Sequence, residues 1–352
     1  MHADRVFTGH QWEENREVLV ENGIITHIQP VGISGLNPDA AYPILAPAFI
    51  DIQVYGAGGR LFSAHPQPES LQVLYDYCLL GGTAYFQPTV ATNSLEVVAS
   101  CIQAVRQYQA EGGKGCIGLH LEGPWINPLK KGAHLDQFIH SPDKEELTSL
   151  LRLGKGVITM ITLAPETVAP ELIRFILDQG IIVSAGHSNA SYEDATDAFN
   201  AGVTAATHLY NAMSPLQHRA PGITGAVLDH PAVCASIIPD GYHVDFAAIR
   251  IAKKIMGERL FVITDAVTET NSGPYQHYLS GDKYEAHGIL SGSALTMLKA
   301  VQLLMREAGI SEAEALRMVS LYPARVMKLD NRIGTIAVGR KAQITCLTND
   351  FS

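Results

Sequence analysis

Cys116-Ile117-Gly118-Leu119-His120-Leu121 runs without a break into Glu122-Gly123-Pro124. A short apolar segment that stops abruptly at a carboxylate and a Gly-Pro turn reads as a buried strand delivering a polar group at its C-terminal end. Seven further runs repeat the pattern: Ala48–Asp51, Thr83–Phe86, Val157–Leu163, Ile181–Ser184, Val203–Thr207, Val233–Ile238 and Leu260–Thr264. Between them lie helical patterns such as Ser70–Leu80, Leu95–Gln109, Ala169–Gln179, Tyr192–Ala201 and Phe246–Met256. Strands that alternate with helices pair in parallel, and eight of them predict an α/β fold closed as a (β/α)8 TIM-like barrel. The competing doubly wound sheet is disfavoured because no GxGxxG turn follows the first strand.

The two ends follow another pattern. Val18–Val20 and Ile24–Ile28 flank Glu21-Asn22-Gly23, and Asn-Gly supplies the positive φ angles of a tight hairpin. Ala342–Leu347 reads as one more strand. The expected organisation is a small β-domain formed from both termini, residues 1–44 and 334–352, with the catalytic barrel at 45–333. Tyr275–Ile289 reads as a hairpin-like excursion after the eighth strand, before a helix beginning near Ala294.

Composition narrows the function. The 352 residues carry a formal net charge of −10, which disfavours nucleic acid as a partner because phosphate neutralisation needs clustered cations. No run reaches the roughly 18 apolar residues of a membrane span, and the first residues lack the apolar centre of a secretory signal. Five scattered cysteines without a CxxC pair fit neither a zinc ribbon nor a disulfide framework. The expected location is the cytoplasm.

In such a barrel, chemistry sits where strands end. The third strand ends at Glu122, the fifth at Ala185-Gly186-His187-Ser188 and the sixth at Thr207-His208. The seventh ends at Asp240-Gly241-Tyr242-His243 and the eighth at Thr264-Asp265-Ala266. Taken singly, each histidine reads as a hydrogen-bonded loop residue, and Glu122 or Asp265 as a cap or turn residue. Together, one carboxylate, two imidazoles and a further aspartate at one face read as a hydrolytic metal site with an open position for water. Spacing adds nothing, because no HExxH pair is present.

Several words of the sequence also resemble a family. They are His120-Leu121-Glu122-Gly123-Pro124-Trp125, Lys131-Gly132-Ala133-His134, Ser184-Ala185-Gly186-His187-Ser188-Asn189-Ala190 and Thr207-His208-Leu209-Tyr210-Asn211-Ala212-Met213. Asp240-Gly241-Tyr242-His243, Leu290-Ser291-Gly292-Ser293 and Leu321-Tyr322-Pro323-Ala324-Arg325 continue the series. From about Ala46 to Thr348 the chain resembles the N-acetylglucosamine-6-phosphate deacetylase family of the amidohydrolase superfamily. The resemblance implies an amidohydrolase-type barrel. It also implies metal-dependent hydrolysis of the acetamide of N-acetyl-D-glucosamine 6-phosphate, yielding D-glucosamine 6-phosphate and acetate in amino-sugar catabolism.

By that resemblance Glu122, His187 and His208 hold the metal, Asp265 is the general acid/base, and His134 hydrogen-bonds the acetyl carbonyl. Arg219 and His243 match the residues that hold the sugar phosphate, beside the Asn211–Ala212 backbone. Arg219 would come from the neighbouring subunit of a homodimer. Ala133 and Leu290, Ser291 and Gly292 match segments lining the sugar pocket. One divalent ion per subunit is implied: zinc suits the ligands, and iron, cobalt or manganese tolerate them. Many amidohydrolases carry an HxH pair after strand one, but here the words are Asp51-Ile52-Gln53-Val54-Tyr55-Gly56, which points to the single-metal branch. Two alternatives stay open: an N-acetylgalactosamine-6-phosphate deacetylase and a non-catalytic scaffold, the latter opposed by retention of all four mouth residues.

Overall fold

The computed structural model describes residues 1–286 and 288–351. His287, within the expected Tyr275–Ile289 excursion, and Ser352, at the end of the expected terminal segment, lie outside the described residues. Eight strands pair in sequence order and all in parallel: Phe49–Val54, Thr83–Ala91, Leu119–Glu122, Ile158–Leu163, Ile182–Ala185, Ala205–Ala206, Cys234–Ile237 and Leu260–Val262. The ends meet where Tyr55 N–H donates to the Ala266 carbonyl at 2.8 Å and Asp265 N–H to the Gln53 carbonyl at 3.0 Å. The expected barrel is therefore present and nearly closed.

Each expected strand is found, with shifted bounds that have local causes. The third begins at Leu119 rather than Cys116, because Gly115 and Gly118 adopt φ of 78° and 122° and interrupt the extended run. The second continues to Ala91, past the expected end at Phe86. Crossover helices at Lys144–Leu153 and Gly222–Asp229 complete the alternation where the sequence reading named none. In the first, Asp143 caps the Glu146 N–H at 2.8 Å.

Along the barrel strands, inward positions alternate, and several are polar. His120 Nε2 meets Thr162 Oγ1 at 2.7 Å, Thr162 meets Thr207 at 2.7 Å, and Ser184 meets Thr207 at 2.6 Å. These hydroxyls satisfy one another in a layer beneath the strand ends. Burial holds the His120 imidazole down to about 4, so it is neutral here. Asp51 lies in the same interior and accepts from Gln53 N–H at 3.2 Å and from the Thr264 backbone at 3.3 Å. Burial pushes its carboxyl up to about 7 despite those bonds. This layer supports the mouth residues from below without containing them.

The termini form one five-stranded sheet in the order Ile344–Leu347, Ala41–Pro47, His2–Phe7, Trp12–Glu21, Ile24–Pro30. The Asn-Gly turn is as expected, with φ of 51° and 77°, and its hairpin is longer than the apolar runs indicate. His2–Phe7 pairs in parallel with Ala41–Pro47, a non-local contact that no short-range pattern announces. After the eighth barrel strand the excursion is a three-stranded sheet, Tyr278–Ser280, Lys283–Ala286 and Ile289–Ser293. Its third strand delays the next helix to Met297, where Thr296 Oγ1 caps the Lys299 N–H at 3.2 Å. Among the described residues no helix is long and apolar enough to cross a membrane.

Candidate active site

Three of the mouth residues, His187, His208 and Asp265, adopt positive φ of 47°, 38° and 56°. Non-glycine residues in this region cost roughly 1–3 kcal/mol each and persist where the surroundings hold them. Here the backbone turns sharply off each strand end so that the side chain points back over the barrel axis. The bonds that hold it can be named. Asp265 donates to Gln53, and its carbonyl accepts from Ser293 N–H at 2.9 Å. His208 N–H donates to Ser236 Oγ at 2.7 Å. Asn127 N–H donates to the His187 carbonyl at 2.9 Å.

The side chains converge. One donor atom from each of Glu122, His187 and His208 lies within 4.8 Å of the others, and all three residues are buried. His187 Nδ1 sits 2.8 Å from the Lys130 carbonyl and His208 Nδ1 sits 3.2 Å from the Asn211 carbonyl. A carbonyl only accepts, so each Nδ1 carries its proton and each Nε2 presents a lone pair. Those two Nε2 atoms are 3.0 Å apart, and Glu122 Oε1 lies 3.0 Å from one and 3.4 Å from the other. Three electron-rich atoms facing one point are what a divalent cation satisfies, and carbonyl partners on Nδ1 are the usual orienting contacts of metal-binding histidines. Charge agrees with geometry. Burial pushes Glu122 up, but the imidazoles of His134, His187 and His208 around it outweigh that and hold the carboxyl well below its ordinary value. Burial pushes His208 down, and Glu122 more than reverses it, so the pocket draws positive charge.

Gln53 and Tyr55, which stand where many amidohydrolases carry the HxH pair, join the cluster. Gln53 Nε2 lies 2.9 Å from Glu122 Oε1, 2.9 Å from Asp265 Oδ1 and 2.8 Å from the Tyr55 hydroxyl. The Tyr55 hydroxyl donates to Glu122 Oε2. Strand alternation puts Asp51, Gln53 and Tyr55 on one face, so the signal was present in their spacing of two.

His134 is buried beside the cluster, its Nε2 3.2 Å from Glu122 Oε2. Thr92 Oγ1 lies 2.7 Å from Nδ1 and Thr92 N–H approaches the same nitrogen at 3.4 Å; with Nδ1 accepting from the N–H, the ring proton sits on Nε2, on the Glu122 side. Burial, with His187 nearby, holds His134 down to about 4, so it is a neutral donor. Burial raises Asp265, and the Glu122 carboxylate raises it further, which makes it a stronger base than a free carboxylate. His243 Nδ1 lies 2.6 Å from Asp240 Oδ2. Burial pushes Asp240 up, but that contact and the charge of His243 keep it below its ordinary range.

These groups surround a cavity of about 210 Å³. It is lined by every site residue expected from the sequence except one: Glu122, Ala133, His134, His187, His208, Asn211, Ala212, His243, Asp265, Leu290, Ser291 and Gly292. Gly292 has φ of 71°, and a Cβ there would come within 2.5 Å of Val267, so the wall requires glycine. Arg219 is the exception. It is exposed, at the tip of a turn closed by Gln217 and Ala220 at 3.2 Å, and is not among the lining residues. Tyr55, Tyr275 and His277 also line the cavity, and the latter two were hidden in the excursion.

A strand-end carboxylate, two strand-end histidines and an aspartate on the eighth barrel strand's exit define a class of hydrolase. The chain belongs to the amidohydrolase family, whose profile matches residues 44–352. It is 34% identical over 345 residues to N-acetylglucosamine-6-phosphate deacetylase from Haemophilus influenzae, covering 95% of this chain and 88% of that one. It is 31% identical to N-acetylgalactosamine-6-phosphate deacetylase from Escherichia coli O157:H7, covering 99% and 94%. Among solved structures, N-acetylglucosamine-6-phosphate deacetylase from Pasteurella multocida superposes with a TM-score of 0.92 at 34% identity, covering 99% of this chain and 94% of that one.

Proposed function

We infer that the protein is a deacetylase that hydrolyses the acetamide of N-acetyl-D-glucosamine 6-phosphate. The observation that carries this reading is the meeting of Glu122, His187, His208, Asp265 and His134 around one cavity. When bound, a divalent cation supplies Lewis-acid polarisation and acidifies water near neutral pH. Glu122, His187 and His208 would hold it. Asp265 accepts the proton of the attacking water and later delivers it to the departing amine nitrogen. His134 Nε2–H donates to the acetyl oxygen as negative charge develops there. His243, backed by Asp240, faces the phosphate together with the Asn211–Ala212 backbone, and Ala133 and Leu290–Gly292 flank the sugar. One zinc ion per chain fits this set best, with Gln53 and Tyr55 where histidines would hold a second. The cytoplasm fits five cysteines that are all free thiols.

The reading is tested by acetate release from the two epimeric N-acetylhexosamine 6-phosphates. The expected outcome is a higher kcat/KM for the gluco epimer. A reversed order would favour the galacto deacetylase, and no release from either would leave the scaffold.

Arg219 enters as a residue offered to the neighbouring subunit of a homodimer, which its exposure and its absence from its own cavity support. Arg219→Ala is expected to raise KM for the phosphorylated sugar far more than for the unphosphorylated one. The loss of a charge-assisted contact is worth about 1.5–3 kcal/mol, or roughly 10–150-fold. Mixing Arg219→Ala chains with Asp265→Asn chains is expected to restore part of the lost rate, because one hybrid site is then intact. No recovery with verified subunit exchange would return Arg219 to its own chain.

A further inference from the structure

The fourth barrel strand, Ile158–Leu163, contributes nothing to the cavity lining among the described residues, although the strands paired on either side of it lead to Glu122 and His187. Just past its end, in the short turn Pro165–Thr167, stands Glu166, a half-buried carboxylate that the reaction does not use. Its oxygens are fully engaged. Oε1 accepts from Asn127 Nδ2–H at 2.9 Å and from Asn189 N–H at 2.6 Å, and Oε2 accepts from the Ser188 hydroxyl at 2.7 Å. Ser188 Oγ already accepts from Ala190 N–H at 3.1 Å, so its proton is free to be given to Glu166. Three donors converging on one side chain call for a group that only accepts, which an ionised carboxylate is and an amide is not.

All three contacts lead to His187. Ser188 and Asn189 follow it directly, and His187 itself holds a positive φ of 47°, a conformation that persists only where its surroundings fix it. Asn127 acts from the other side. Its N–H donates to the His187 carbonyl at 2.9 Å, and its own carbonyl accepts from Lys130 N–H at 2.8 Å. Its Oδ1 accepts from Leu129 N–H at 2.9 Å. Those bonds shape the turn whose Lys130 carbonyl lies 2.8 Å from His187 Nδ1. One carboxylate thus grips the histidine twice, through the backbone that follows it and through the turn that fixes its tautomer.

We propose that Glu166 is a positioning residue for the metal site, holding His187 so that its Nε2 lone pair stays directed at the point it shares with Glu122 and His208. The proposal rests on the metal-holding role given above to those three residues. Glu166 is not a fourth ligand, because its oxygens are taken up by Asn127, Ser188 and Asn189 and it stands outside the cavity lining. Its effect is pre-organisation: a ligand already aimed loses less freedom when the ion binds. Removing contacts that orient a metal ligand typically weakens metal affinity by about 10–100-fold.

The test measures the zinc dissociation constant by competition with a chromogenic chelator for the wild type, Glu166→Gln and Glu166→Ala, with the thermal unfolding midpoint of each chain after chelation. Glu166→Ala is expected to weaken zinc binding roughly 10–100-fold. Glu166→Gln keeps an acceptor for Asn127 and Asn189 but turns an amide NH2 toward the Ser188 hydroxyl, so its loss is expected to fall between the other two. The visible spectrum of the cobalt(II)-loaded Ala variant should differ from that of the cobalt(II)-loaded wild type, because one imidazole is no longer held. A role in folding alone would lower the unfolding midpoints and leave zinc affinity and the cobalt spectrum at wild-type values, and that result overturns the proposal. If the Ala chain does not fold, the isosteric Gln chain decides: weakened zinc binding supports the role of Glu166, and wild-type affinity overturns it. A wild type that binds no zinc and no cobalt overturns the metal-site reading itself, a distinguishable result.

Discussion

Asp265→Asn is expected to lower kcat roughly 10²-fold or more while leaving metal content close to that of the wild type. The side chain keeps its size, and its backbone remains tied to Gln53 and to Ser293 at 3.0 and 2.9 Å. The carboxylate is lost as a proton acceptor, and no neighbour replaces it. His134 is held neutral with its proton on Nε2, which makes it a donor. Glu122 is held well below its ordinary carboxyl range by three histidines, so it is a weak base. Asp265 is different: burial and the Glu122 charge raise it, and a stronger base transfers a proton more readily when its pKa approaches working pH. The check is a pair of measurements on one preparation, turnover from acetate release and metal by elemental analysis. Near-normal turnover would remove Asp265 from the proton path. A large loss of metal would make it a ligand instead.

The contrast between Asp265 and Tyr55 shows where sequence reasoning works. Strand ends can be located from apolar runs, and a residue just past a strand faces the barrel mouth whatever its partners are. Glu122, His187, His208 and Asp265 were legible for that reason, and eight alternations were enough for the fold. Residues one strand-step away need register as well. Gln53 and Tyr55 stand on the correct face by period two, but their bonds to Glu122 span 69 and 67 positions in sequence and depend on how the first and third barrel strands sit. The parallel pairing of His2–Phe7 with Ala41–Pro47 was illegible for a similar reason, since neither strand alternates cleanly and their connection contains another hairpin. His277 was hardest to read. A histidine in an irregular excursion carries no periodic signal, and only the folded excursion brings it to the cavity.

Glu122→Gln is expected to empty the site and to lower turnover by roughly 10³-fold or more, beyond the 10–100-fold typical of losing a mere orienting contact. The wild type should carry about one divalent ion per chain. Glutamine fills the same volume and can still meet Gln53 and Tyr55, so the barrel should remain folded. What it removes is the negative charge that the two facing Nε2 lone pairs cannot supply. Without it the cluster is two neutral imidazoles 3.0 Å apart and an amide, a set with little affinity for a dication. The same substitution frees His208 from the partner that pulls it up, leaving burial to push it down. Metal content, circular dichroism and acetate release measured together decide the matter. A folded chain with less than a tenth of an ion, whose activity partly returns in excess zinc, is the expected result. A variant that keeps one ion and wild-type turnover would show that Glu122 is not a ligand, and two tightly held ions per chain in the wild type would end the single-metal reading.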